Sequence, residues 1–105
     1  MNQAILFELR DAGRLSAKSC LGRTVMAAFG EQWKTLRDLE GEIFERWHVA
    51  DTQPTISARL REVQLRYPRE LLKQSMTRKI NGKTVWFYRI VAINDNINNK
   101  LEEVA

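Results

Sequence analysis

Little in this sequence is suited to covalent chemistry, export or membrane insertion. Cysteine occurs once, at Cys20, which excludes an intrachain disulfide and leaves no zinc-ligand cluster. Nothing around Cys20 suggests an activated thiolate, and it reads as a small buried apolar residue. Histidine also occurs once, and His48 has no acid-and-histidine neighbourhood, so it reads as a surface or turn residue. No apolar run approaches the roughly 18 residues of a membrane span. The N-terminus lacks the basic start and apolar stretch of a signal peptide, so the reducing cytosol is the expected compartment. Neither a phosphate-cradling glycine loop nor a nucleophile elbow occurs. Asp38, Glu40, Glu42 and Glu45 share the polar face of one expected helix and form no isolated acid–base pair. No enzyme, metal centre or cofactor is expected.

Acid is also scarce in one particular place. Residues 52–91 hold nine Lys/Arg (Arg59, Arg61, Arg66, Arg69, Lys73, Arg78, Lys79, Lys83, Arg89) and two acids, Glu62 and Glu70. That segment carries +7, while the remainder has eight basic and eleven acidic residues, −3. A basic segment on a mildly acidic body points to an oriented polyanion-binding face. At 105 residues, 44% hydrophobic and 29% charged, the chain suits one soluble domain with a modest core. The expected domain spans residues 1–92, and the polar, Asn-rich tail at 93–105 is a candidate for disorder.

Periodicity then places the elements. Residues 2–12 form an amphipathic helix with Ile5, Leu6 and Leu9 on one face and Gly13 as its stop. That face either covers the core or serves self-association. Ser16 offers a cap for a short turn that Gly22 interrupts, and a second helical run starts at Arg23 with Val25, Met26 and Phe29. Thr35 and Asp38 make a capping box ahead of the stripe Leu36, Leu39, Ile43, Phe44 and Trp47. Gly41 inside that run predicts a short or bent helix. Asp51 or Thr52 caps the next helix, with Pro54 in its first turn and Pro68 as its stop. Its buried face is Ile56, Leu60, Val63 and Tyr67.

Beyond it, Asn81-Gly82 between strand-like runs predicts a two-residue hairpin, with Arg78 opposite Val85 and Met76 opposite Phe87. Arg89 on the alternate face favours Trp86, Tyr88 and Ile90 inward. All three tryptophans, Trp33, Trp47 and Trp86, are expected in the core.

This order of helices and a basic hairpin resembles the winged helix-turn-helix superfamily, above all the small regulators of bacteriophages and other mobile elements. The resemblance rests on Thr35-Leu36-Arg37-Asp38-Leu39, on Thr55-Ile56-Ser57-Ala58-Arg59-Leu60-Arg61-Glu62-Val63 and on Val85-Trp86-Phe87-Tyr88-Arg89-Ile90. It covers residues 23–91, about two-thirds of the chain. It implies an α+β, mostly helical fold: a three-helix core, a C-terminal β-hairpin wing and an extra N-terminal helix. The chain departs from the compact pattern in two places. The spacing from Thr35 to Ile56 adds about one and a half helical turns, and Tyr67-Pro68-Arg69 replaces a terminal glycine.

The residues support duplex DNA by themselves. A helix fits the major groove, and Gln53, Thr55, Ser57 and Ala58 give it a short polar N-terminal surface. Arg59 has the reach for guanine, while Arg61 and Arg66 are placed for phosphates. Arg78, Lys79, Asn81 and Lys83 form a wing tip suited to the backbone or the minor groove. The first expectation is therefore a sequence-specific double-stranded DNA-binding protein, a transcriptional regulator or accessory factor of a mobile element, open to homodimerisation. The second is an interaction module for an acidic protein partner. RNA and single strands are disfavoured because aromatic residues are scarce among the exposed basic positions.

Overall fold

The chain folds into α1 (Ala4–Asp11), α2 (Cys20–Ala28), α3 (Leu36–Trp47), α4 (Gln53–Arg66), β1 (Leu71–Ile80) and β2 (Lys83–Ala92). The structure is a computed structural model and describes residues 3–93, so the tail expected beyond Ile93 lies outside the described residues. The α+β class and the helices-then-hairpin order are as expected.

Local chemistry sets the helix ends. The hydroxyl of Thr35 accepts from the Asp38 amide at 3.1 Å, and the Asp38 carboxylate accepts from the Thr35 amide at 3.0 Å. This reciprocal box opens α3 and satisfies two orphan amides. The helix continues through Gly41 to Trp47, so it is not shortened there; Leu39 and Ile43, both fully buried, hold it on either side. Phe44 is a correction, because it leaves the stripe and lies exposed, edge-to-face against His48. His48 ends α3 in the left-handed region with φ 56°. Between the two cap candidates for α4, Thr52 is the one that accepts from the Thr55 amide, with Pro54 in the first turn. Asp51 has another use.

The second helix starts earlier than its glycine suggested. Ser19 caps α2, which runs through Gly22 instead of being interrupted there. A Cβ at position 22 would stand 1.8 Å from the Ser16 carbonyl oxygen. The glycine therefore serves close approach of the preceding loop, and loop and helix could not pack with any side chain between them.

The core joins every element. Val25 of α2, Leu39 and Ile43 of α3, Ile56, Leu60 and Val63 of α4, Leu71 of β1 and Ile90 of β2 are all essentially inaccessible. Each such side chain contributes about 1.5–3 kcal/mol through burial. Leu9 is buried and Ile5 and Leu6 pack against this cluster, so α1 covers the core. Covering the core is thus a role that this face takes.

The hairpin closes on Asn81 (φ 51°) and Gly82 (φ 78°), the pair of positive φ values that its turn demands. Met76 faces Phe87 and Arg78 faces Val85, in the expected register. Residues 29–34 line the other edge of β2, with Gly30 donating to the Ile90 carbonyl and Lys34 and Tyr88 exchanging both backbone bonds. On the inward face, Ile90 is buried and Tyr88 packs against the core, but Trp86 is 53% exposed. Its expected core position is thus corrected. The reason is length: ten-residue strands extend about 33 Å, and the helices cover only their base. Trp33 and Trp47 are half-buried.

Candidate nucleic-acid interface

The site is built from α4 and the hairpin, and two polar contacts position it. Arg23 of α2 lies against Asp51, with Nε to Oδ2 at 2.8 Å and Nη2 to Oδ1 at 2.9 Å, and its Nη1 donates to the Ala17 carbonyl. Both side chains are about nine-tenths buried, so this forked pair is desolvated and charge-assisted. Its hydrogen bonds hold the Asp51 carboxyl below its ordinary range. Asp51 directly precedes the α4 cap, so the pair fixes where that helix begins. At the other end, the Tyr67 hydroxyl donates to the Arg14 carbonyl, and Arg14 pairs with Glu70 at 3.0 Å.

The second contact ties helix to hairpin. Gln64 donates to the Leu71 carbonyl at 3.0 Å and accepts from the Lys73 amide at 2.6 Å. Its side chain completes the free edge of β1 as a neighbouring strand would. Arg61, one turn earlier on the same helix, therefore stands on the flank nearest the hairpin.

The residues expected to contact DNA are not equivalent. Opposite the buried Ile56, Leu60 and Val63, the outward line of α4 is Pro54, Ala58, Arg61 and Leu65. Arg61 is exposed and has no acidic partner among the described residues; the same holds for Arg66. Arg59 is half-buried and pairs with Glu62 at 2.7 Å. Gln53 donates to Glu40 of α3. Thr55 is exposed and shares a hydrogen bond with the Thr52 hydroxyl, while Ser57 and Ala58 are partly exposed. Leu65, which the sequence did not single out, is 81% exposed on that outward line.

On the hairpin, Arg78, Lys79, Asn81 and Lys83 are all exposed. Lys79 donates to the Thr84 hydroxyl at 2.7 Å, and Arg78 lies over the Phe87 ring. Arg89 has a structural role: it stacks on Trp33, donates to Gln74 across the strands, and reaches the Glu31 carbonyl. From Leu71 to Ala92 there are five Lys/Arg and no acid.

Elsewhere, a groove of about 390 Å³ lies between α1, α2 and α3, lined by Leu6, Phe7, Met26 and Phe29 with Lys34, Glu42 and Arg46 at its rim. Burial pushes the Cys20 thiol above its ordinary range, which keeps it protonated. Among the described residues no group of three His, Cys, Asp or Glu is arranged to hold a metal ion. No described helix is long and apolar enough to cross a membrane. Comparison with family models, with curated proteins and with solved structures finds no match for this chain.

Proposed function

We propose that this is a sequence-specific double-stranded DNA-binding protein of winged helix-turn-helix type, a transcriptional regulator or accessory factor of a mobile element. The observation that carries the reading is an acid-free hairpin of five cations joined to α4 by Gln64, with exposed Arg61 one turn along the helix from that joint. In this reading α2, α3 and α4 are the three-helix core, residues 29–34 are the short edge strand, and the hairpin is the wing. The major groove takes the outward line of α4. Arg61 is the guanine reader in place of Arg59, whose guanidinium Glu62 already occupies. Ala58 and Leu65 offer apolar contact to thymine methyl groups, and Thr55 and Ser57 offer hydroxyls to base edges or phosphates. Arg66, Arg78, Lys79 and Lys83 neutralise phosphates, with Asn81 and Gly82 bringing the wing's backbone close.

Selection of bound duplexes from a random library, repeated at two salt concentrations, supplies the cognate site. On that site Arg61→Ala is expected to cost about 1–3 kcal/mol and to relax preference at one or two base pairs. Arg59→Ala is expected to cost less. A folded Arg61→Ala protein with unaltered affinity and sequence preference would show that α4 is not the reading helix. The protein-partner alternative draws on Leu65, a large apolar side chain left open beside basic charge.

A further inference from the structure

The hairpin carries a pattern of which duplex binding uses only Lys79. Strand alternation puts Lys73, Ser75, Thr77 and Lys79 of β1 on one face, opposite Ile90, Tyr88, Trp86 and Thr84 of β2. At its base this face is core. Beyond half-buried Tyr88 it is open, and Trp86 presents half its surface beside Thr77.

The edge of β1 adds donors to the same strip. Ile80 and Lys83 flank the two-residue turn as a hydrogen-bonded pair, so the amides of Lys73, Ser75, Thr77 and Lys79 point away from β2. Gln64 occupies the Lys73 amide. The other three have no partner among the described residues. Over about 20 Å the strip offers three amides alternating with the three carbonyls of the same residues, together with two hydroxyls and two ammonium groups, with aromatic rings alongside and no carboxylate. A neutral peptide strand would pair with the amides and carbonyls but leave the lysines and the indole unused. A phosphate chain with bases to stack uses the amides, the hydroxyls, the lysines and the rings.

We propose that this face is a stacking site for an unpaired stretch of DNA, with Trp86 and Tyr88 beneath the bases and Lys73, Lys79, Ser75 and Thr77 along the backbone. Combined with a duplex on α4, a clause that rests on the proposed function, it makes a junction between paired and single-stranded DNA the preferred ligand.

Three labelled probes test it: the selected closed duplex, the same duplex with an oligo(dT) tail on each end in turn, and oligo(dT) alone. A tail at one end is expected to tighten binding by roughly 5- to 150-fold, the range of one stacked base. Trp86→Ala is expected to erase that gain while leaving closed-duplex affinity unchanged, and Trp86→Phe to keep part of it. Because Trp86 lies outside the core, these variants fold. No gain from either tail, or a gain that survives Trp86→Ala, overturns the proposal. So does a Trp86→Ala protein that changes only from dimer to monomer, which would make the face a self-association surface. If oligo(dT) binds in a Trp86-dependent way while no duplex binds, the stacking site stands and the duplex reading falls. Arg61→Ala separates the two in reverse, lowering duplex affinity and sparing oligo(dT).

Discussion

Single residues decide whether α4 is presented at all, and Asp51 is the clearest case. Its carboxylate is buried against Arg23, and removing it leaves a guanidinium without a counter-charge in a dry site. Asp51→Ala is expected to destabilise the fold by about 3–5 kcal/mol. The pH dependence has a definite sign. The hydrogen bonds from Arg23 lower the folded-state pKa of Asp51 below its unfolded value of about 3.9. The native state therefore gives up its proton more readily, and the stabilisation is fully present above about pH 4. It is lost as pH falls through the lower, folded-state value. Glu70, held down by its hydrogen bond to Arg14, adds a smaller and more exposed contribution in the same acid range. Urea melts taken from neutral pH down to about pH 2 should show stability falling in acid. In Asp51→Ala that slope should be shallower, with only Glu70 and other carboxylates contributing. An equal acid slope in both proteins would mean that the Arg23–Asp51 pair adds nothing.

Between elements, the most consequential contact is Gln64, which joins α4 to β1 through both atoms of its amide. Truncation to alanine leaves a half-buried carbonyl and amide without partners. Gln64→Ala should cost about 1–3 kcal/mol, whereas Gln64→Glu, which keeps the acceptor for Lys73, should cost less. Chemical denaturation of the two variants measures the ordering, and a reversed order would assign the joint to packing instead of hydrogen bonds. Nothing in the sequence announced this role, because glutamine in a helix is ordinary until the strand beside it is known. What was legible is what is local: Thr35 with Asp38, the spacing of Ile56, Leu60, Val63 and Tyr67, and Asn81-Gly82 with the register it fixes. Each is a short-range rule whose residues lie within a few positions of one another. What was not legible depends on distant parts of the chain. Arg23 and Asp51 are 28 residues apart, Gly22 is explained only by the loop that crosses it, and Trp86 is exposed because its strand outruns the helices. On the candidate surface, charge and the exposed wing tip were readable from composition and turn chemistry. The Arg59–Glu62 pair, three residues apart, and open Leu65, opposite the buried stripe of α4, are local too and were readable from helical spacing.

Across the whole molecule, charge separation is the property that a solution measurement can interrogate without knowing the target sequence. The hairpin carries five cations and no acid, and Arg61 and Arg66 extend this field along the helix. Pairing removes three further cations: Lys34 is bound to Glu42, Arg14 to Glu70 and Arg23 to Asp51. Arg61, Arg66, Arg78, Lys79 and Lys83 face solvent on the proposed interface, while Arg10, Lys18, Arg37, Arg46 and Arg69 face it elsewhere. With half-buried Lys73, about six phosphate contacts are within reach of the interface. Each neutralised phosphate releases condensed counterion, so the logarithm of affinity should fall against the logarithm of salt with a slope near −5. Between 50 and 200 mM salt that is a loss of about three orders of magnitude in binding constant. Lys83→Ala, at the hairpin tip, should lower affinity for all duplexes nearly equally and make the slope shallower by about one unit. Arg61→Ala differs in kind, because it changes which sequence is preferred as well as how tightly it is held. An acidic protein partner lacks the condensed counterion layer of duplex DNA, so its binding would be less steep in salt. Titrations of closed duplex at four or more salt concentrations, with wild type, Lys83→Ala and Arg61→Ala in parallel, give all three slopes. A wild-type slope shallower than about −2 would be too few phosphate contacts for a helix and a wing acting together, and would favour the protein partner.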